Sequence, residues 1–277
     1  MTRRVWIVGP VSIDRVLYLD QLPQQGSFTR PSRIIERIGG SSGNVALALA
    51  ATGIETGFIS YIGGDENGRK IEKSFSESNI SHLHLQQVVG ESNHALVMVD
   101  SSCERTIVTL TDSHLAEISV KEIDFRNNDI VVFSLWRPFF LDHFNQIKNI
   151  GCTMVVGLEA LNDPHLSGAD FAIGSEAELG GALPSHHFDR FATIVVTRGA
   201  AGVDLYYGDG HEHFDSQATV ILDSTGAGDS FLAGFLSHLA LNAQDLRSAI
   251  QYGGRWAADT LAIEGSQPAP PPSITIR

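Results

Sequence analysis

A chain of 277 residues with 43% hydrophobic side chains is long enough to bury a sizeable core, so disorder is not its default state. Its formal net charge of −13 opposes non-specific binding to nucleic acid, and no apolar run is long enough to span a bilayer. Two distant cysteines, Cys103 and Cys152, supply neither a disulfide framework nor paired zinc ligands, and suit a reducing cytoplasm.

In chain order, Val5–Val8 reads as a buried strand ending at the turn-forming Gly9-Pro10. Arg15–Leu19 and Ile34–Ile38 read as strands around a loop containing Pro23, Gly26 and Pro31. Residues 44–51 are small and apolar and predict a helix that stops at Gly53. A strand at Gly57–Ile62 and a helix over about 68–76 follow. The periodicity then changes: Ala95–Val99 and Arg105–Leu110, joined by the polar residues 100–104, predict a hairpin. With the strands at 15–19 and 34–38 it can form a small sheet apart from the main one. From Ile130 onward strand-like and helix-like runs alternate, at 130–133, 139–148, 153–156 and 193–197, which indicates a parallel sheet covered by helices. Two helices, about 227–239 and 244–262, close the chain before a proline-rich tail expected to run over the surface. The expected fold is α/β, three layers with a mostly parallel central sheet and a small β-sheet lid, all in one domain over 1–277. The lid strands fall within 15–38 and 95–110.

The run Asp223-Ser224-Thr225-Gly226-Ala227-Gly228-Asp229 lies between the apolar Val220-Ile221-Leu222, read as a strand, and a helix with apolar spacing. Gly226 and Gly228 let the backbone approach a bound group. Free amides at the helix start, with the positive end of its dipole, form an anion site. A carboxylate one residue beyond Gly228 then sits beside that anion, ready to accept a hydroxyl proton. The plainer reading, a helix cap with glycines in a turn, suits a lone Gly-x-Gly better than this complete run.

This segment resembles the C-terminal signature of the ribokinase-like, phosphofructokinase-B type carbohydrate kinases. Further matches follow in order: residues 9–14 resemble the family's first strand with its substrate-binding aspartate, and 39–44 its Gly-Gly-x-x-x-Asn motif. Residues 63–68 resemble its Gly-x-Asp-x-x-Gly turn and 197–202 its Thr-x-Gly-x-x-Gly nucleotide loop. The resemblance implies that Asp229 is the catalytic base and that the Gly226, Ala227 and Gly228 amides hold the transferring phosphoryl. It implies acceptor binding by Asp14, Gly40 and Asn44. Thr197, Gly199 and Gly202, with Gly254 as a weaker candidate, would line the ATP site. A monovalent cation such as K⁺ at Asp223 and Thr225, and a homodimer paired through the lid, also come from the resemblance alone.

The match departs in two places. Where the family has Asn-x-x-Glu, this chain has Ser175-Glu176-Ala177-Glu178: Ser175 can still donate to a phosphate, and Glu178 would organise hydrated Mg²⁺. After the strand 153–156 the Asp-x-Asn-x-Arg run of many sugar kinases is missing, and Glu159 is read as standing near one of its acids. In this the chain looks closer to the ketohexokinase and sulfoquinovose-kinase branch than to ribokinase itself. Arg137 can reach an anionic substituent, although a structural or surface contact is its more ordinary role. His211 and His213 share a strand face, but no third metal ligand is visible.

The leading expectation is ATP-dependent phosphorylation of a hydroxyl on a monosaccharide or sugar derivative. A nucleoside kinase on the same fold is the second reading, with Phe28 and Trp136 as stacking candidates. A non-catalytic sugar or nucleotide sensor is the third. No nucleic-acid or membrane partner is expected.

Overall fold

The structure, a computed structural model, describes residues 2–101, 105–180, 183, 189–218, 220–241, 245–263 and 267–273. Its first strand shows how the layers arise. In β1 (Val5–Val8), Val5 and Ile7 enter one apolar cluster while Trp6 and Val8 enter another, and all four are buried. Successive strand residues point to opposite faces, so a strand buried on both sides demands cover above and below the sheet. β8 (Ile130–Phe133) and β9 (Thr153–Gly157) divide their side chains in the same way.

Among the described residues, nine strands form the main sheet. From β1 it runs outward through β4 (Thr56–Gly63) to β5 (His82–Val88) on one side. On the other it runs through β8, β9, β10 (Ala169–Ser175) and β11 (Phe191–Thr197). All these neighbours pair parallel; β12 (Val203–Tyr207) and β13 (Gly210–Phe214) add an antiparallel edge. Strand order reverses at β1, where β4 and β8 flank it, and the crevice at the carboxyl ends there is where open α/β sheets bind ligands.

One face of the sheet is covered by α1 (Ser41–Ala51), α2 (Glu66–Ser76), α5 (Ala227–Leu241) and α6 (Leu246–Leu261). α3 (Leu141–Lys148) lies on the other, and α4 (Glu176–Leu179) is a single turn after β10. Asp65 caps α2 by accepting from the Gly68 amide at 2.8 Å, and Asp245 caps α6 from Ser248 at 3.0 Å. No helix among the described residues is long and apolar enough to cross a membrane.

The second sheet has the order β3-β2-β6-β7, from β2 (Ser12–Tyr18), β3 (Arg33–Gly39), β6 (His94–Val99) and β7 (Arg105–Thr109). The register sets Asp14 opposite Arg37 and Ala95, then Ala95 opposite Thr109. These residues therefore share one face with Val97, Arg105 and Ile107. The hairpin expected over 95–110 forms; residues 102–104 of its connection, Cys103 included, lie outside the described residues.

Three expectations need correction. Val220, Ile221 and Leu222 are not a strand: they are 51%, 56% and 47% exposed, and the loop is tied back by Leu222 N–H donating to Leu261 O at 2.7 Å. The proline-rich tail does not simply cross the surface. Ala269 is buried, and Trp256 Nε1 and Tyr252 OH donate to the carbonyls of Ala269 and Pro272, each at 2.7 Å. The segment 139–148 opens with a 3₁₀ turn at Pro138–Phe140 before α3 begins.

Candidate functional site at the loop 223–229

The loop 223–229 stands between two cavities. On one side a cavity of about 610 Å³ is lined by Thr197, Gly199, Gly202, Ser224, Ala227, Gly228 and Gly254 among others. On the other a cavity of about 420 Å³ is lined by Asp14, Gly40, Asn44, Thr225, Gly226 and Asp229 among others. Within this one run the chain passes from the first chamber at Ser224 to the second at Thr225 and Gly226, back at Ala227 and Gly228, and to the second again at Asp229, as a thin wall allows.

The loop folds on itself before α5 starts. Asp223 is buried, and its Oδ1 accepts from the Thr225 amide at 2.8 Å. Gly226 has φ 80°, a left-handed conformation that favours glycine, and its carbonyl accepts from Ser230 N–H at 2.9 Å and from Ser230 Oγ at 2.8 Å. The amides of Gly226, Ala227 and Gly228 have no hydrogen-bond partner among the described residues. A Cβ added at Gly228 would meet nothing within 4 Å, so open space lies over these donors. Unpaired amides at the start of a fifteen-residue helix can hold an anion without any cationic side chain.

Asp229 lies half-buried where the wall meets the second cavity. Burial pushes its carboxyl up to about 6. The Asn44 side chain and the charge of Arg105 oppose that rise, while Asp14 and Glu178 add to it. Asn44 Nδ2 donates to Asp229 Oδ2 at 2.8 Å. A carboxylate with this pKa is ionised at neutral pH yet basic enough to accept a hydroxyl proton.

Gly40, at φ 80°, starts α1 and brings Asn44 to this position; a Cβ there would come within 2.9 Å of Pro10 O and Val11 Cα. Ser12 Oγ donates to Asp14 Oδ1 at 2.6 Å, and burial raises the Asp14 pKa. Unsatisfied polar atoms gather here as well. Asn44 Oδ1, His94 Nε2, and Arg37 Nε and Nη1 are buried without hydrogen-bond partners, and all three residues line the second cavity. Buried polar groups are normally paired, so a polar ligand is the natural partner for this set.

Several predicted residues stand apart from the cavities. Ser175 and Glu178 line neither; Ser175 Oγ donates to Glu178 Oε1 at 3.1 Å, and Ser175 lies in register with Thr197. The charge of Glu178 raises both Glu159 and Asp229, although desolvation is the larger cause in each. No group of three His, Cys, Asp or Glu able to hold a metal occurs among the described residues. A divalent ion would therefore bring its own water and phosphate ligands, as Mg²⁺ commonly does. Repulsion among Glu159, Glu178 and Asp229 is what such a cation would relieve, so the donor set fits.

Neither stacking candidate enters the second cavity. Phe28 is 88% exposed, while Trp136 is buried among Phe133, Phe140 and Phe144 with Nε1 donating to Asp163 Oδ2 at 2.9 Å. His211 and His213 both bond Asp204 Oδ1, at 3.1 and 2.7 Å, and with Arg198 hold that carboxylate down at about 2, against the desolvation that would raise it. They belong to a structural cluster at the edge of the sheet.

Sequence reasoning missed Arg37, Arg105, Asn93 and His94 as lining residues of the second cavity. Only Asn93 and His94 carried a local signal, lying at the start of the first hairpin strand.

Comparison with known proteins identifies the family. The model of the pfkB family carbohydrate kinases matches residues 2–151 and 159–273. The ribokinase of Haemophilus influenzae is 27% identical over 98% of this chain and 96% of its own length. An ATP-dependent ribose-1-phosphate kinase of Halopiger xanaduensis is 27% identical over 96% of this chain and 95% of its own. Among solved structures, a putative ribokinase from Agrobacterium tumefaciens superposes with a TM-score of 0.81 at 21% identity, covering 97% of this chain and 95% of that one.

Proposed function

The chain belongs to the pfkB family of carbohydrate kinases, and from that premise we propose that it transfers the ATP γ-phosphoryl to a hydroxyl of a sugar or sugar derivative bound beside Asp229. The observation that carries this reading is the loop wall: Ser224, Ala227 and Gly228 face one cavity while Thr225, Gly226 and Asp229 face the other. Two substrates in separate chambers can then meet only across that wall.

In this reading ATP occupies the larger cavity, with Thr197, Gly199, Gly202 and Gly254 along it and its γ-phosphate on the amides of Gly226, Ala227 and Gly228. The acceptor lies with Asp14, Gly40 and Asn44. Asp229 takes the hydroxyl proton as the oxygen attacks phosphorus, the bond from phosphorus to the ADP oxygen breaks, and the amides hold the charge spread over the equatorial oxygens. Ser175 and Glu178 stand at the phosphate end, where Glu178 would hold Mg²⁺ through water; the ion supplies charge neutralisation on the phosphates. K⁺ at Asp223 and Thr225 is a subsidiary proposal, tested by potassium dependence of turnover, because Asp223 already serves the Thr225 amide.

The small sheet acts as a lid whose closure excludes water. Its outward face carries Leu17, Leu96 and Met98, with Ile34 58% and Val108 42% exposed, and we assign a homodimer contact there. A cytoplasmic setting remains the reading from cysteine usage. The lack of any Phe, Tyr or Trp among the described residues lining the acceptor cavity favours a sugar over a nucleoside base.

The test is an ATP-consumption screen across sugars, sugar acids, sugar phosphates, amino sugars and nucleosides. Turnover confined to a sugar class is expected; turnover confined to nucleosides would overturn the acceptor assignment.

A further inference from the structure

The acceptor cavity holds more positive charge than a neutral sugar requires. Arg37 of β3 and Arg105 of β7 line it from the small sheet, and Arg137, just beyond β8, lines it from the opposite wall. Asp14 and Asp229 are the only carboxylates among its described lining residues. None of the three arginines forms an ion pair among the described residues. Arg137 spends Nη1 on the Trp136 carbonyl, at 2.7 Å.

Arg37 is the sharpest case. Its Nε and Nη1 are buried without a partner, although Asp14 sits directly opposite on β2 and is the first of the opposing charges that it feels. Asp14 is instead bonded to Ser12 Oγ. Desolvation is the largest influence on the Arg37 guanidinium, and the like charge of Arg105 is also within reach. A buried cation with unpaired donors beside a second cation is costly unless an anion completes the set. The whole chain carries a net charge of −13, so this local excess opposes the background.

Two occupants can supply that anion: the phosphoryl in transit or a fixed substituent on the acceptor. Arg105 is among the leading charges felt by Asp229, and it lines the cavity from the lid, as Arg37 does. Arg37 feels Asp14, at the acceptor's predicted binding group, ahead of Asp223 of the wall. The phosphoryl also has its own donors in the unpaired amides of the wall.

We infer that the acceptor is an anionic sugar, bearing a phosphate, sulfonate or carboxylate away from the hydroxyl that reacts, and that Arg37 and Arg105 hold this group with Arg137 opposite. Guanidinium donors match the oxygen geometry of all three anions. The inference rests on the kinase reading above and deepens it.

Two measurements separate the two claims. The first compares kcat/KM for matched pairs of sugars, neutral against phosphorylated, sulfonated or carboxylated, in the wild type, Arg37→Gln and Arg105→Gln. The wild type should prefer one anionic member, and each variant should lose roughly 30-fold or more on it, exceeding its loss on the neutral partner by about tenfold. Arg105→Gln, at an exposed position, keeps the test alive if Arg37→Gln fails to fold. Preference for the neutral sugar, or equal losses on both members, would overturn the inference and assign the arginines to the phosphoryl. The second is calorimetric binding of the same sugars without ATP. Binding of an anionic sugar that weakens in the variants supports the inference even if no acceptor is phosphorylated, an outcome that would instead sink the kinase reading. Absence of binding by every anionic sugar would overturn the inference alone.

Discussion

The cavity beside residues 197–202 and the cavity under the small sheet share the wall at 223–229, yet they meet negative charge with different materials. Among the described residues lining the first there is no lysine or arginine, and there is one carboxylate, Asp215. In the proposed reading its means of holding phosphate are backbone amides and the positive end of α5. The second is lined by three arginines. The difference follows from what each group must do next. A phosphoryl that moves from one oxygen to another is best served by short, fixed donors whose strength is greatest as charge develops. A substituent that stays on the acceptor can be held by full charges, because nothing has to release it during the chemical step. On the proposed assignment, an acidic protein binds ATP without a basic patch and reserves its cations for the second substrate.

The largest effect should come from the residue where the wall meets the second chamber. Asp229→Asn removes the proton acceptor while leaving the wall in place, and turnover should fall by roughly 10²–10⁴-fold. Near-wild-type turnover in steady-state assays would remove Asp229 from the base role. Next comes Asp14→Ala, which belongs to the acceptor chamber only. It should raise the acceptor KM by roughly 10–100-fold while calorimetric ATP affinity persists. A fall in ATP affinity with the acceptor unaffected would mean that the two chambers had been assigned the wrong way round.

A smaller effect, confined to the other chamber, is expected from Gly254→Leu. Gly254 lies on α6 and lines the ATP-side cavity, where a Cβ would already approach Gln217 Nε2 at 3.2 Å. A branched side chain should raise the KM for ATP by about tenfold and spare acceptor binding. Equal losses for both substrates would show that the chambers are not independent.

The same contrast decides what could be read from sequence. The ATP side and the wall are local: Gly226 to Asp229 and Thr197 to Gly202 are contiguous runs whose glycines and amides act where the chain puts them. The acceptor side is assembled from afar. Arg37 and Arg105 lie on opposite edges of a four-stranded sheet, and only the pairing of β3 with β2, β2 with β6 and β6 with β7 turns them to one face. Neither has a motif around it. Two strands of the main sheet were missed for related reasons. β10 reads Ala-Asp-Phe-Ala-Ile-Gly-Ser, a weak strand by propensity, and is made by its neighbours; its Asp170 accepts from the Met154 amide at 2.7 Å. β5 alternates histidine and leucine at the sheet edge, a period-two signal obscured by its polar half.

The smallest expected effect tests the contact that joins the wall to the acceptor side. Asp229 as a base must be ionised, and its pKa is raised to about 6, so kcat/KM should climb with pH through that value and level off above it. Asn44 Nδ2 donates to the carboxylate and so favours its charged form, opposing the desolvation that raises the pKa. Asn44→Ala removes that donor and leaves burial unopposed on this side, so the acid limb should move to higher pH. Loss of activity at neutral pH should then be partly recovered at higher pH, which a purely structural defect would not allow. An unchanged limb in the pH profile, with activity lowered uniformly, would confine Asn44 to acceptor binding and break its electrostatic link to the wall.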